Sequence, residues 1–255
     1  MEVVIKDTFE EMSKLTAELI ADVVRRKPRA VLGLATGSTP VGTYKELIRL
    51  HKEEGLDLSR VVTFNLDEYV GLAHDHPQSY HYFMNENLFK HVNVNPKNIH
   101  IPDGTAKDIP GFCRWYEEQM IRAGGLDVQL LGIGSNGHIA FNEPGSSLGS
   151  RTRVKTLDDK TRQDNARFFK NFNEVPKYAI TMGIGTIMDS RQLLLLANGA
   201  GKAEAIAKTC EGPITAMVPA TIVQLHPKAT IIVDKAASAK LSREYPAEPR
   251  VLVLQ

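Results

Sequence analysis

Cysteine is scarce: Cys113 and Cys210 are the only two, far apart and outside any metal-ligand spacing. That excludes a disulfide framework and predicts two free, partly buried thiols in a reducing compartment. Long apolar runs are missing as well; none approaches the roughly 20 residues needed to cross a bilayer. Met1 to Asp7 lack a basic region followed by an apolar core, so no secretory signal is expected and the cytoplasm is the expected location. Excess charge of either sign is absent, since 31 basic and 30 acidic residues leave a net charge of +1. Such balance exerts no general pull on nucleic acid or an anionic membrane, while leaving room for a local basic pocket. Low-complexity linkers and internal repeats are also lacking. One domain spanning 1–255 is therefore expected, with a hydrophobic fraction of 42% to supply its core.

What is present is an alternation of short apolar runs and amphipathic segments. Thr8-Phe9-Glu10-Glu11 fits a capping box, and Met12, Leu15, Leu19, Ile20 and Val23 recur at helical spacing until Pro28. Strands are predicted at Ala30 to Leu34, Val61 to Leu66, Val128 to Ile133, Tyr178 to Met182, Leu193 to Ala197, Thr230 to Val233 and Val251 to Leu254. Helices are predicted around Tyr44 to His51, Tyr80 to Phe89, Phe112 to Arg122 and Lys202 to Lys208, whereas Thr221 to Leu225 suits either state. This alternation predicts an α/β fold: a doubly wound, mostly parallel, Rossmann-like sheet with helices on both faces. Gly145 to Pro176 is polar and irregular, an excursion that would cover the site.

Three post-strand loops hold candidate chemistry. In Ala35-Thr36-Gly37-Ser38-Thr39-Pro40, exposed N–H groups and the hydroxyls of Ser38 and Thr39 suit a phosphate at a helix N-terminus. A helix cap with nothing bound explains the same residues, and no Walker A pattern follows. In Asn65-Leu66-Asp67-Glu68-Tyr69, adjacent side chains on extended chain point to opposite faces. One carboxylate would serve as a general base and the other would cap or pair; a solvated acidic pair is the commoner arrangement.

The third loop, Gly132-Ile133-Gly134-Ser135-Asn136-Gly137-His138-Ile139-Ala140-Phe141-Asn142-Glu143-Pro144, opens with Gly-x-Gly-x-x-Gly. A dinucleotide site needs a helix starting within those glycines and an acid about 20 positions on. Phe141 to Gly145 is a poor helix, and Arg151, Arg153 and Lys155 stand where the acid belongs. A loop curling back would instead set Glu143 against His138, fixing the tautomer and leaving the second ring nitrogen to move protons. A buried, satisfied histidine is the structural alternative. Arg167 and Lys202, the latter opening a helix after Leu193 to Ala197, suit an anion, although a solvated lysine is the default. His74-Asp75-His76 suggests a metal superficially, but a solvated turn explains it better.

Together, Leu34 to Pro40, Phe64 to Gly71, Gly137 to Pro144 and Ser150 to Arg153 resemble the glucosamine-6-phosphate deaminase family nearly end to end. The resemblance implies conversion of glucosamine 6-phosphate and water to fructose 6-phosphate and ammonia, with no metal and no organic cofactor. It implies that Asp67 carries the proton from C2 to C1. His138 would open the sugar ring, with Glu143 as its carboxylate partner. Gly37, Ser38, Thr39, Gly137, Arg167 and Lys202 would bind the substrate. Asn136 stands where many members carry Asp and should stabilise an imidazolium less than a carboxylate would. Ser146, Ser147, Arg153 and Lys155 resemble part of an intersubunit effector site. The longer C-terminal tail of hexameric members does not follow Gln255, so a monomer or small homo-oligomer is expected rather than a hexamer. Rival expectations are a 6-phosphogluconolactonase-like hydrolase, another sugar-phosphate isomerase, a non-catalytic phosphosugar sensor and a dinucleotide enzyme.

Overall fold

The computed structural model describes residues 1–249, all side chains among them except those of Asp164 and Phe168. In chain order the strands are β1 (Glu2–Lys6), β2 (Val31–Leu34), β3 (Val62–Asn65), β4 (Asp67–Tyr69), β5 (Ile99–His100), β6 (Val128–Gly132), β7 (Arg153–Thr156), β8 (Tyr178–Thr181), β9 (Leu193–Ala197) and β10 (Ala229–Asp234). The helices are α1 (Phe9–Arg26), α2 (Val41–Glu54), α3 (Tyr80–Asn87), α4 (Ile109–Arg122), α5 (Asp159–Asn165), α6 (Ile184–Met188) and α7 (Ala203–Glu211). The expected strand at Val251 to Leu254 lies outside the described residues.

Seven strands form one parallel sheet in the order β1-β10-β9-β6-β2-β3-β5. All four residues of β2 and all five of β9 are buried, which is why both are continuously apolar rather than alternating. From β2 the chain winds outward through β3 to β5, then returns to the other side of β2 and winds outward through β6, β9 and β10. The order therefore reverses between β2 and β6. A crevice opens at the strand carboxyl ends at such a reversal, because the following connections diverge to opposite faces. The strand β1 at the far edge carries no strong sequence signal; it is a five-residue strand held by its register with β10.

The amino-terminal capping box forms as expected, with Thr8 Oγ1 accepting from Glu11 N at 3.1 Å. The Glu11 carboxylate reaches Asp7 N at 3.0 Å. Thr221 to Leu225 resolves into a 3-10 helix, Pro219–Leu225. Gly145 to Pro176 is more ordered than its composition suggests, since it holds β7 and α5. A second, antiparallel sheet, β4-β8-β7, takes β8 out of the parallel stack in which its apolar run would suit equally well. Asp67 pairs with Thr181 in that sheet. The residues expected to follow the strand Val61 to Leu66 as a post-strand segment are thus a separate strand.

Candidate active site

At the reversal lies a cleft of about 410 Å³. It is walled by the loops after β2, β3, β6 and β9 and by residues from α5 and the 3-10 turn that follows. Gly37, Ser38, Thr39, Asp67, His138, Arg167 and Lys202, seven of the ten residues expected from the sequence, line it. Asn136, Gly137 and Glu143 do not; they stand behind the wall.

One end of the cleft gathers the hydroxyl-bearing loop 35–40, Arg167 and Lys202. The loop 35–40 runs into α2, whose N-cap Pro40 provides no side-chain cap. Thr39 Oγ1 donates to Asn198 Oδ1 at 2.8 Å, joining the loops after β2 and β9. Lys202 is the N-cap residue of α7, so its ammonium adds to the positive end of that helix. Gly199 carries φ 83°, and its N–H is held by both carboxylate oxygens of Asp234 at 3.0 Å. That turn aims the Lys202 segment at the cleft. Arg167 reaches the same cavity from the 3-10 turn Ala166–Phe168. Lys202→Ala and Arg167→Ala are each expected to raise KM roughly ten- to a hundredfold, as befits a charged hydrogen bond worth about 1.5–3 kcal/mol. Steady-state kinetics check this, and an unchanged KM removes the residue from the anion end.

Asp67 lies on the cleft wall yet is only 6% exposed. Burial, and then the negative charge of Glu68, push its carboxyl well above the usual carboxylate range. A base so placed holds its proton more tightly than a solvated carboxylate does. Glu68 is fully buried, so the sequence expectation of a solvated pair fails for both acids. Strand pleating sends the two side chains to opposite faces, and both faces of β4 are covered.

The loop after β6 curls back as expected. Gly137 N donates to Gly134 O at 3.0 Å, and Gly134 N to His138 O at 2.9 Å. Gly137 has φ 84°, and a Cβ there would meet Val218 Cγ1 at 2.5 Å; it serves the turn, not the lining. Ala140, at φ 50°, is the sole non-glycine residue with positive φ among those described. Phe141 N donating to Thr181 Oγ1 at 3.1 Å and Asn142 Nδ2 donating to Met182 O at 2.8 Å hold that strained turn against the small sheet. The turn returns Glu143 to His138. Glu143 Oε2 lies 3.4 Å from His138 Nδ1, a charge contact longer than a good hydrogen bond.

Asn136 ties the pair together: its Nδ2 donates to Glu143 Oε2 at 3.0 Å, and its Oδ1 accepts from His138 N at 3.2 Å. Its amide therefore bonds the loop backbone and Glu143 and makes no bond to the imidazole ring. Burial pushes the Glu143 carboxyl up, but the facing His138, with Thr161 and Asn136, outweighs it and brings it down to about 2. A Cβ on Gly134 would sit 2.2 Å from the His138 ring. Gly134→Ala is expected to displace that ring and lower kcat at least tenfold while leaving Tm within a few degrees, checked by kinetics beside thermal melting.

Sequence reasoning missed other lining residues, notably Thr36, Tyr80, Asn165 and Asn198. Asn198 carries a usable signal, as a polar residue directly after the apolar β9. Tyr80 carries none; its phenol belongs to the first turn of α3 and reaches the cleft only through packing. The His74-Asp75-His76 stretch is a turn in which His74 stacks on His81. No cluster of three potential metal-ligating side chains occurs among the described residues. Ser146, Ser147, Arg153 and Lys155 lie outside the cleft lining, with Ser146 buried and Ser147 exposed.

Residues 5–232 match the family model of glucosamine-6-phosphate isomerases and 6-phosphogluconolactonases. The chain belongs to this family. A glucosamine-6-phosphate deaminase of Thermoanaerobacter pseudethanolicus is 53% identical over 253 residues, covering 99% of this chain and 100% of that protein. Glucosamine-6-phosphate deaminase 1 of Bacillus subtilis is 50% identical over 239 residues, covering 94% and 99%. A solved monomeric glucosamine-6-phosphate deaminase superposes with a TM-score of 0.93 at 50% identity, over 94% of this chain and 100% of that one. The 6-phosphogluconolactonase of Trypanosoma brucei, at 21% identity and TM-score 0.76 over 94% and 98%, shares the family's fold. No helix among the described residues is long and apolar enough to cross a membrane.

Proposed function

We propose that the chain converts glucosamine 6-phosphate and water to fructose 6-phosphate and ammonia. The observation that carries this reading is a single cleft with an anion-binding end, a buried carboxylate and a histidine backed by a carboxylate. The loop 37–39, Arg167 and Lys202 hold the phosphate dianion, fixing C1 and C2 relative to Asp67 and His138 and converting binding into orientation.

His138, with its Nδ1 proton directed at Glu143, presents the other nitrogen to the sugar. It takes the proton of the anomeric hydroxyl and delivers one to the ring oxygen, opening the ring. Glu143 stabilises the imidazolium formed in transit. Asp67 then removes the C2 proton and returns it to C1; the C2 amine becomes an imine, and water releases it as ammonia. Asn136 keeps the Glu143 carboxylate in place.

A monomer or small homo-oligomer suits this reading, which requires neither metal nor organic cofactor. Balanced charge and the lack of a spanning helix among the described residues fit a cytoplasmic enzyme. Mixing the protein with glucosamine 6-phosphate should yield equimolar ammonia and fructose 6-phosphate. No product at micromolar enzyme defeats the proposal, and turnover of 6-phosphogluconolactone instead would assign the lactonase reaction.

A further inference from the structure

Glu68 is a buried acid that the proposed reaction leaves without a task. It follows Asp67 on β4, on the face turned away from the cleft. Its carboxylate accepts from the backbone N–H groups of Tyr69 at 2.8 Å, Tyr80 at 2.8 Å and His81 at 3.0 Å. The His81 Nδ1 lies 2.9 Å away. Tyr80 and His81 begin α3, and the Tyr80 side chain lines the cleft. One carboxylate thus ties the strand bearing Asp67 to the helix terminus bearing Tyr80. The arrangement is that of an anion, with donors on every side and a helix N-terminus facing it.

We infer that Glu68 is a positioning residue: it anchors Asp67 and Tyr80 in the cleft, and its negative charge one residue away favours proton uptake by Asp67. The proposal rests on the deaminase reading above. The elevated carboxyl of Asp67, due to burial first and Glu68 second, supports it. Other groups around Asp67 act in known directions. The phenols of Tyr44, Tyr69 and Tyr116 are buried, that of Tyr80 is partly exposed in the cleft, and all four are pushed above the usual phenol range by desolvation first; His138, Arg167 and Lys202 line the same cleft, and positive charge on any of them opposes Glu68. On the far side of Glu68, His81 stacks on His74 with ring centroids 3.6 Å apart. His74 Nε2 in turn reaches Asp103 Oδ1 at 3.2 Å. The imidazole bonded to Glu68 offsets part of its charge.

Two variants with opposite expected signs test this. Glu68→Gln keeps a carbonyl acceptor for the α3 N–H groups and removes the charge. His81→Phe keeps a ring against His74 and removes the donor to Glu68. The Asp67 carboxyl is titrated without substrate by ¹³C NMR of aspartate-labelled protein, with Asp67→Asn supplying the assignment. In Glu68→Gln its midpoint should fall. The acid limb of the kcat profile should move the same way, with kcat reduced on the order of tenfold above neutral pH. In His81→Phe the midpoint should rise. A merely structural role lowers kcat alike at every pH and moves neither midpoint, and unmoved midpoints overturn the proposal. If Glu68→Gln does not fold, the sign of the His81→Phe shift decides alone. Because the titration needs no turnover, a chain that releases no ammonia defeats the deaminase reading without deciding this result.

Discussion

Asp67→Asn is expected to lower kcat by on the order of 10³-fold, because an amide cannot take the C2 proton and positioned acid–base groups contribute about 10²–10⁴. Hydrogen exchange at C2 with solvent should stop, while phosphate-dependent binding of the substrate persists, since the anion end is built from other loops. Exchange at the wild-type rate would remove Asp67 from its role. The same substitution should raise Tm at neutral pH. Asp67 is held well above its ordinary value of 3.8, so ionising it costs the folded state more than the unfolded. That cost is fully present above the folded titration point and vanishes as pH falls below 3.8. The variant's advantage in thermal melting should therefore be present at high pH and disappear in acid. An advantage that persists unchanged into acid would mean that its origin is not the Asp67 charge.

The second large effect is expected at His138. His138→Gln should reduce kcat by about 10²–10⁴, with the remainder set by the sugar's own slow ring opening in water. Supplying substrate faster than it opens should then make turnover insensitive to added enzyme. A residual rate that scales with enzyme would show that ring opening is not the impaired step. Glu143→Gln should be milder, lowering kcat because the imidazolium formed in transit loses its anionic neighbour, which steady-state kinetics would check. Glu143 itself, held at about 2, stays charged across the working range. Its contribution to stability is complete above 4.5 and is lost as pH falls through about 2. The Tm deficit of Glu143→Gln should close over that acid interval, which thermal melts in strong acid would check.

Much of this site is local in sequence. The loop 132–144 folds back through hydrogen bonds among its own residues, so the meeting of His138 and Glu143 was legible from glycines and Pro144. The same holds for the capping box and for the apolar strands, whose period and composition fix their state before any partner is known. Asn136 was legible as a residue but not as a contact. Its bond to Glu143 rather than to the imidazole follows from which way the turn presents its amide. The strand β4 was hidden because three residues carry no periodicity, and its pairing with Thr181, Ile180 and Ala179 is decided by a segment more than a hundred residues away.

By itself the sequence determined the alternating strands and helices, the three post-strand loops and the residue types that can move a proton or hold an anion. Only the tertiary structure decided that the chain reverses its winding between β2 and β6, which brings those loops to one crevice. It also decided that Asp67 and Glu68 are buried on opposite faces of a second sheet, and that Tyr80, Asn165 and Asn198 join the lining. The physical reason is one of range. Period, capping and turn chemistry act within a few residues, whereas burial, and with it the basicity of a carboxylate, depends on every element packed around it.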